Sequence, residues 1–161
     1  MKCVLPICVA LVLGGCSAGR ELAAFEAASS EKALIRWHRK GVSLVWDAVC
    51  ARSSNDTVLV RLYKQSPASL AEFRLGPEND FTATGRLAGR GWAGPAPSAP
   101  AIFSSWIAFL AAYQDSAGLG PGSRQLQTAT TRVASTKSDG RLKALSVSNT
   151  ETGEVISAVF N

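Results

Sequence analysis

The feature that most constrains the fold is a series of short segments in which apolar and polar residues alternate between residues 42 and 85. Five residues of the first segment share one side of an extended chain: Val42, Leu44, Trp46, Ala48 and Cys50. Successive side chains of a β-strand point to opposite faces, so this alternation is typical of a half-buried strand. Turn-forming residues separate it from similar segments at 57–64, 70–75 and 81–85. Four short strands joined in this way predict an antiparallel meander.

One segment in the middle of the chain has the periodicity of a helix. Glycine and proline interrupt regular structure from 85 to 100, and the apolar segment 101–113 follows, with Ser98 as a candidate N-cap. Its large side chains recur at helical spacing or flank that stripe: Phe103, Trp106, Phe109, Leu110 and Tyr113. The spacing predicts a helix that lays an aromatic face on the sheet.

Strand patterns return after this helix. The segments 125–136, 141–149 and 154–160 alternate and are separated by turn residues, which predicts three further strands. Near the other end of the chain, 21–28 is rich in helix formers and predicts an N-terminal helix. The expected fold class is therefore α+β: a curved, half-barrel-like antiparallel sheet of roughly seven strands, with the N-terminal helix and the mid-chain helix on one face.

The stretch 33–41 permits two interpretations. It combines a short apolar face with four potential cations: Arg36, His38, Arg39 and Lys40. One interpretation is a patch that faces lipid headgroups. The other, which the pattern favours, is a solvated helix end or strand edge with Trp37 packed inward.

The beginning of the chain has the layout of a processed leader. Lys2 precedes an apolar run of about a dozen residues, well short of the roughly 20 that a membrane-spanning helix needs. The run ends in Leu13-Gly14-Gly15-Cys16, and polar residues follow. An ordinary secretory signal with an incidental cysteine is the alternative interpretation.

Leu13-Gly14-Gly15-Cys16 resembles the lipobox of bacterial lipoproteins. The resemblance implies cleavage before Cys16, a diacylglyceryl group on its thiol and a third acyl chain on the new amino terminus. It divides the chain into a signal peptide (1–15), a lipidated tether (16–20) and a single α+β domain (21–161). Two or more acyl chains give stable anchoring, so the expected membrane partner is bound through Cys16 without a transmembrane helix. Ser17, in place of an aspartate, favours the outer membrane with the domain facing the periplasm, and the outer leaflet of the inner membrane is the alternative.

Composition argues against several functional classes. The net charge of +5 comes from scattered Lys and Arg, which fits anionic lipid headgroups, and no aromatic-basic motif indicates nucleic acid. Once Cys3 and Cys8 leave with the leader and Cys16 carries lipid, Cys50 has no intramolecular partner, and its apolar segment predicts a buried thiol. His38 is the single histidine. No catalytic triad, nucleophile elbow, phosphate loop or CxxC pair is present, so we expect no enzyme activity, no metal and no cofactor.

The order of elements, the lipobox and the size together resemble the LolA/LolB-type lipoprotein carriers over most of the mature chain. In that family an unclosed barrel holds acyl chains under a helical lid, which implies that this protein handles lipid or lipoprotein acyl chains. The candidate lipid-binding residues would then be Trp46, Phe73, Phe103, Trp106, Phe109, Leu110 and Tyr113. An aromatic stripe at helical spacing is more often core than ligand site, so a cavity and a filled core are both compatible with the sequence.

A second functional hypothesis is a structural or assembly lipoprotein that docks a protein partner. The segment 85–100 carries Arg86, Arg90 and Trp92 among its glycines and prolines. Such a loop can meet a headgroup or a protein partner, and a surface loop with incidental arginines is an equally good interpretation.

Overall fold

The computed structural model describes residues 25–64 and 69–161, which form a ten-stranded antiparallel sheet and one α-helix. The strands are β1 (Ser29–Arg39), β2 (Val42–Arg52), β3 (Val58–Tyr63), β4 (Ser69–Leu75), β5 (Asp80–Thr84), β6 (Trp92–Pro95), β7 (Gly122–Gln127), β8 (Thr131–Ser138), β9 (Arg141–Asn149) and β10 (Val155–Phe160). The helix α1 is Ser104–Asp115. Short 3-10 turns lie at Arg86–Ala88, Ala96–Ser98, Ala101–Phe103 and Ser116–Gly118.

The sheet consists of two meanders joined at its middle. Its strand order is β6-β5-β4-β3-β2-β1-β10-β9-β8-β7, so β1 pairs with β2 on one side and with β10 on the other. The chain leaves the first meander at the β6 edge and begins the second at the β7 edge. Because α1 makes this connection, it crosses the inner face of the sheet and contacts β3 and β4 as well as β9 and β10.

The core lies between α1 and the inner face of the sheet. The Trp106 ring stacks on Phe73 with centroids 4.2 Å apart, and Tyr113 stacks on Phe160 at 5.8 Å. Alternate residues of the strands complete the layer, as the period of two requires. The strand side chains that are almost fully buried include Ile35, Val58, Val60, Leu62, Phe73, Leu75, Phe81, Leu145 and Ile156.

The sheet has more strands than the sequence predicted. The segment expected to be one strand at 125–136 is a hairpin, β7 and β8, in which the Thr128 backbone N–H donates to the Thr131 carbonyl at 2.8 Å. The glycine- and proline-rich segment supplies the four-residue strand β6. Pro95 is tolerated there because β6 is an edge strand. The third additional strand is β1.

The prediction of an N-terminal helix was wrong. Residues 21–24 of that segment lie outside the described residues, and 25–28 are not helical but lead into β1 at Ser29. Ala28 donates its backbone N–H to the Arg52 carbonyl at 2.8 Å, so the end of this segment continues the pairing of β1 with β2, which outweighs the local helix propensity. α1 is thus the one α-helix of the described chain.

The mid-chain helix lies where it was predicted, and its aromatic side packs on the sheet as expected. It begins at Ser104 after a 3-10 turn, its N-cap is Phe103, and no side chain caps it, so Ser98 does not have the expected capping role. The proposed signal peptide 1–15, Cys16 and the tether 16–20 lie outside the described residues. No helix of the described chain is both long and apolar enough to span a bilayer.

Candidate functional site

The two sides of α1 differ in side-chain size. Phe109, Leu110 and the other large residues face the core, whereas Ala108, Ala111 and Ala112 form a stripe of small side chains on another side. Residues three and four apart in a helix are neighbours on its surface, so these alanines make one continuous strip. The strip faces the β7–β8 hairpin.

A cleft of about 300 Å³ separates this strip from the sheet. Its volume is at the lower end of the roughly 300–1,000 Å³ found for small-molecule sites. On the α1 side the lining includes the methyl groups of three alanines, which fill little of the space between the helix and the strands. Its lining consists of Ala108, Ala111, Ala112, Asp115, Leu119, Arg124, Leu126, Thr128, Thr131, Val133, Ser135 and Leu145.

The cleft has an apolar interior and a polar rim. Leu145 is buried, and Leu119 and Val133 are half-buried around it, while Leu126 of the edge strand is exposed to solvent. Asp115 and Arg124 contribute the charges of the lining, and both are exposed. An elongated apolar ligand with a polar or charged end matches this distribution.

Lys137 holds the end of α1 nearest the cleft. Its Nζ donates to the carbonyl oxygens of Ser116 at 3.2 Å, Ala117 at 3.3 Å and Leu119 at 2.8 Å. Carbonyls at the end of a helix lack intrahelical partners and carry partial negative charge, so a lysine stabilises them. From the other meander, Arg52 donates to the Tyr113 carbonyl at 2.5 Å. The carboxyl end of α1 is therefore fixed to both meanders.

A buried carboxylate holds the opposite end. Glu154 is 3% exposed, and it accepts hydrogen bonds from Trp37 Nε1 at 2.5 Å and Ser105 Oγ at 2.8 Å. Negative charge beside the first turn of a helix is favourable because the N–H groups there are unpaired. With both ends attached, the distance between α1 and β7–β8, and so the width of the cleft, is set by the fold.

The seven candidate lipid-binding residues lie together in the core. All are buried, and Trp46 joins the others through Trp37, whose ring centroid is 6.0 Å from Trp46 and 5.6 Å from Trp106. The lining of the cleft contains none of them, although all seven are described. The residues that do line it were missed by the sequence reasoning, which followed large apolar side chains. The signal that could have revealed them is the alanine strip of α1.

Cys50 is a buried thiol, as its sequence context predicted. It has no exposed surface, and burial, assisted by the charge of Glu31, raises its pKa far above the usual range. Burial likewise raises the pKa of Tyr113, with smaller contributions from Cys50 and Glu31. Desolvation disfavours the charged forms of both groups, so neither is an activated nucleophile.

The glycine-rich segment 85–100 is anchored to the sheet at its glycines. Gly85 has a φ of +94°, and a Cβ there would lie 2.6 Å from the Leu70 carbonyl oxygen, so only glycine fits. Trp92 is half-buried and pairs with Ala83 across β5 and β6. Of the three residues singled out in this loop, Arg86 and Arg90 are exposed.

Comparison of the chain with protein-family models found no match, and comparison with curated proteins found none either. A search of residues 25–64 and 69–161 for three or more His, Cys, Asp or Glu placed to hold a metal ion found no such group. The cleft beside α1 is therefore the candidate functional site.

Proposed function

We propose that this protein is a membrane-tethered, periplasm-facing lipoprotein that handles lipid or lipoprotein acyl chains, as a LolB-like carrier or acceptor. The observation that carries the proposal is the apolar cleft between α1 and the β7–β8 hairpin, with charges at its rim. One acyl chain lies along the alanine strip, and its polar end stays beside Arg124. The lipobox-like sequence ending at Cys16 supports the tether.

The open rim of the cleft suits reversible binding. Leu126, Asp115 and Arg124 line the cleft and are exposed to solvent, so a bound acyl chain is only partly buried. Burying one methylene contributes about 0.8 kcal/mol, and each methylene left in water forgoes that contribution. A carrier or acceptor needs to release its cargo, and partial burial permits it.

A fluorescent long-chain fatty acid tests the cleft directly. In the full chain carrying Cys16→Ser, we expect saturable binding of the probe, and at least about tenfold weaker binding by Ala112→Phe, whose ring fills the cleft. Ala134→Phe is the matched control, because it adds the same ring to the outer face of β8. Both variants are first checked for an unchanged circular dichroism spectrum.

Two outcomes of the binding measurement with the fluorescent fatty acid would contradict the acyl-chain proposal. One is a folded parent chain that does not bind the probe. The other is equal affinity in the parent, Ala112→Phe and Ala134→Phe, which would place the probe somewhere other than the cleft.

The tether requires a separate experiment. Expressed in a bacterium, the chain should incorporate labelled palmitate, and the mass of its amino-terminal peptide should begin at Cys16 with diacylglyceryl attached. Cys16→Ala should abolish both signals. A secreted, unlabelled product that begins elsewhere would overturn the tether but leave the cleft experiment unaffected.

A further inference from the structure

The hairpin of β1 and β2 is longer than the strand beside it. Along β2, pairing with β3 begins at Asp47, whereas pairing with β1 continues to Val42. Residues 39–46 therefore extend past the end of β3, and we call them the β1–β2 arm. On its other side, β1 stays paired with β10 as far as His38. Its turn is at Lys40 and Gly41, which have φ of +49° and +77°, as in a two-residue hairpin turn.

The arm exposes apolar side chains on both of its faces. Val42 is 56% exposed, Leu44 42% and Val45 48%. Because neighbouring residues of a strand point in opposite directions, Leu44 and Val45 lie on opposite faces. Three large apolar side chains on the two faces of one short strand segment that lacks a partner on its β3 side are unfavourable in water and indicate a partner that covers this edge of the sheet.

The charges around these side chains are positive. Between Arg36 and Trp46 the chain carries three permanent cations, Arg36, Arg39 and Lys40, and no carboxylate. The flanking elements carry two exposed carboxylates, Asp47, where the arm meets β3, and Glu151, in the turn before β10. Apolar side chains surrounded by cations are the combination that favours the interface of an anionic membrane.

We propose that the β1–β2 arm inserts into the headgroup region of an anionic lipid bilayer. Val42, Leu44 and Val45 enter the boundary between headgroups and acyl chains, and the three cations contact phosphate groups. The arm is short, and its turn at residues 40 and 41 extends past the ends of both β3 and β10, so it can enter between lipid headgroups. This contact is independent of the cleft and of the lipid on Cys16, and it would orient the domain against the membrane.

Vesicle binding and hydrogen exchange test this proposal together. The full chain carrying Cys16→Ser is mixed with vesicles of phosphatidylcholine, alone or with phosphatidylglycerol. We expect binding to require phosphatidylglycerol, and to fall by about tenfold in the double variant Val42→Ser, Leu44→Ser. The matched control is Leu34→Ser, Val159→Ser, which removes two side chains of similar exposure, 46% and 56%, elsewhere on the sheet.

Hydrogen exchange localises the contact within the parent chain. Peptides covering the arm should exchange more slowly with anionic vesicles, while the turn at Asp139 and Gly140, at the other end of the strands, should not change. Unchanged exchange in the arm, or equal loss of binding in both double variants, would overturn the proposal. Protection seen only with a membrane-protein extract, and not with vesicles, would assign the arm to a protein partner and also overturn it. Equal unfolding midpoints show that neither variant acts by unfolding the domain.

Discussion

One helix packs against the two meanders in different ways. Toward β3 and β4, the aromatic side of α1 is closely packed, with Trp106 stacked on Phe73. Toward β7 and β8, its alanine strip leaves a cleft of about 300 Å³. Both sides are apolar, so hydrophobicity does not distinguish them. The difference is one of side-chain volume, because a close-packed interior requires that facing side chains fill the space between backbones.

The two edges of the sheet differ as well. β6 has four residues and includes Pro95, which cannot donate a hydrogen bond to a further strand. β7 has six residues without proline, and all six are exposed. The open side of the molecule, toward β7 and β8, therefore combines the cleft with a six-residue edge strand, whereas the edge strand of the closed side is shorter and contains a proline.

The largest expected change in the free energy of unfolding comes from removing a ring on the closely packed side of α1. Trp106→Ala should lower the free energy of unfolding by about 3–5 kcal/mol, because it removes a buried ring and leaves a cavity. Ile107→Ala, one residue further along and half-buried, should cost less than half as much. Urea denaturation of both variants measures the difference. Similar costs at the two positions would mean that the aromatic side does not dominate the packing of α1.

Removing the hydrogen bonds by which Lys137 of β8 holds the end of α1 should have the next largest effect on the free energy of unfolding. Lys137→Met takes away a charged donor that serves three carbonyls, at a cost of about 1.5–3 kcal/mol. It should also weaken binding of the fatty-acid probe, since the cleft width depends on this attachment. Lys143→Met, at an exposed position of β9, is the control, and an equal effect there would contradict the attachment role.

Alkaline pH should destabilise the closely packed side through Cys50. Its pKa is raised in the folded state, so the thiol stays protonated after the unfolded chain has lost its proton. The contribution of Cys50 to the free energy of unfolding is therefore fully present below the unfolded pKa of about 8.5. Above that pH the free energy of unfolding falls, by up to about 1.4 kcal/mol per pH unit. Tyr113, whose pKa is also raised, adds to the fall above about pH 10.

Urea midpoints measured between pH 7 and pH 10 check this expectation. Cys50→Ala should show a shallower decline than the parent over the range from 8.5 to 10. Parallel declines in the two proteins would rule out a contribution from the Cys50 thiol.

The smallest effect should come from adding volume on the open side. Ala111→Leu extends into the cleft and should change stability by less than about 1 kcal/mol. The same substitution at Ala71, which is fully buried on β4, forces the surrounding side chains apart and should cost about 1–3 kcal/mol. Thermal or urea unfolding distinguishes the two. A large loss at Ala111 would show that the cleft is not available space.

Much of the fold could be predicted from local patterns. Strands β2 to β5, the strands β9 and β10, the helix α1 and the buried state of Cys50 follow from alternation, helical spacing and turn residues. For the candidate site the prediction was less complete. It identified α1, but it selected the aromatic side, which forms the core, instead of the alanine strip that lines the cleft.

The sequence by itself determined which segments alternate, where most of the turns lie and that the segment 101–113 contains an apolar helix that packs on the sheet, because these properties depend on neighbours a few residues apart. The tertiary structure alone decided that β1 is a central strand, that the Gly/Pro segment supplies β6, and that 125–136 folds back as a hairpin. It also decided which side of α1 is filled. Trp37 and Glu154, which fix the amino end of α1, are 117 positions apart. Contacts over such separations depend on the volumes and backbone pairing of both partners, which no local pattern records.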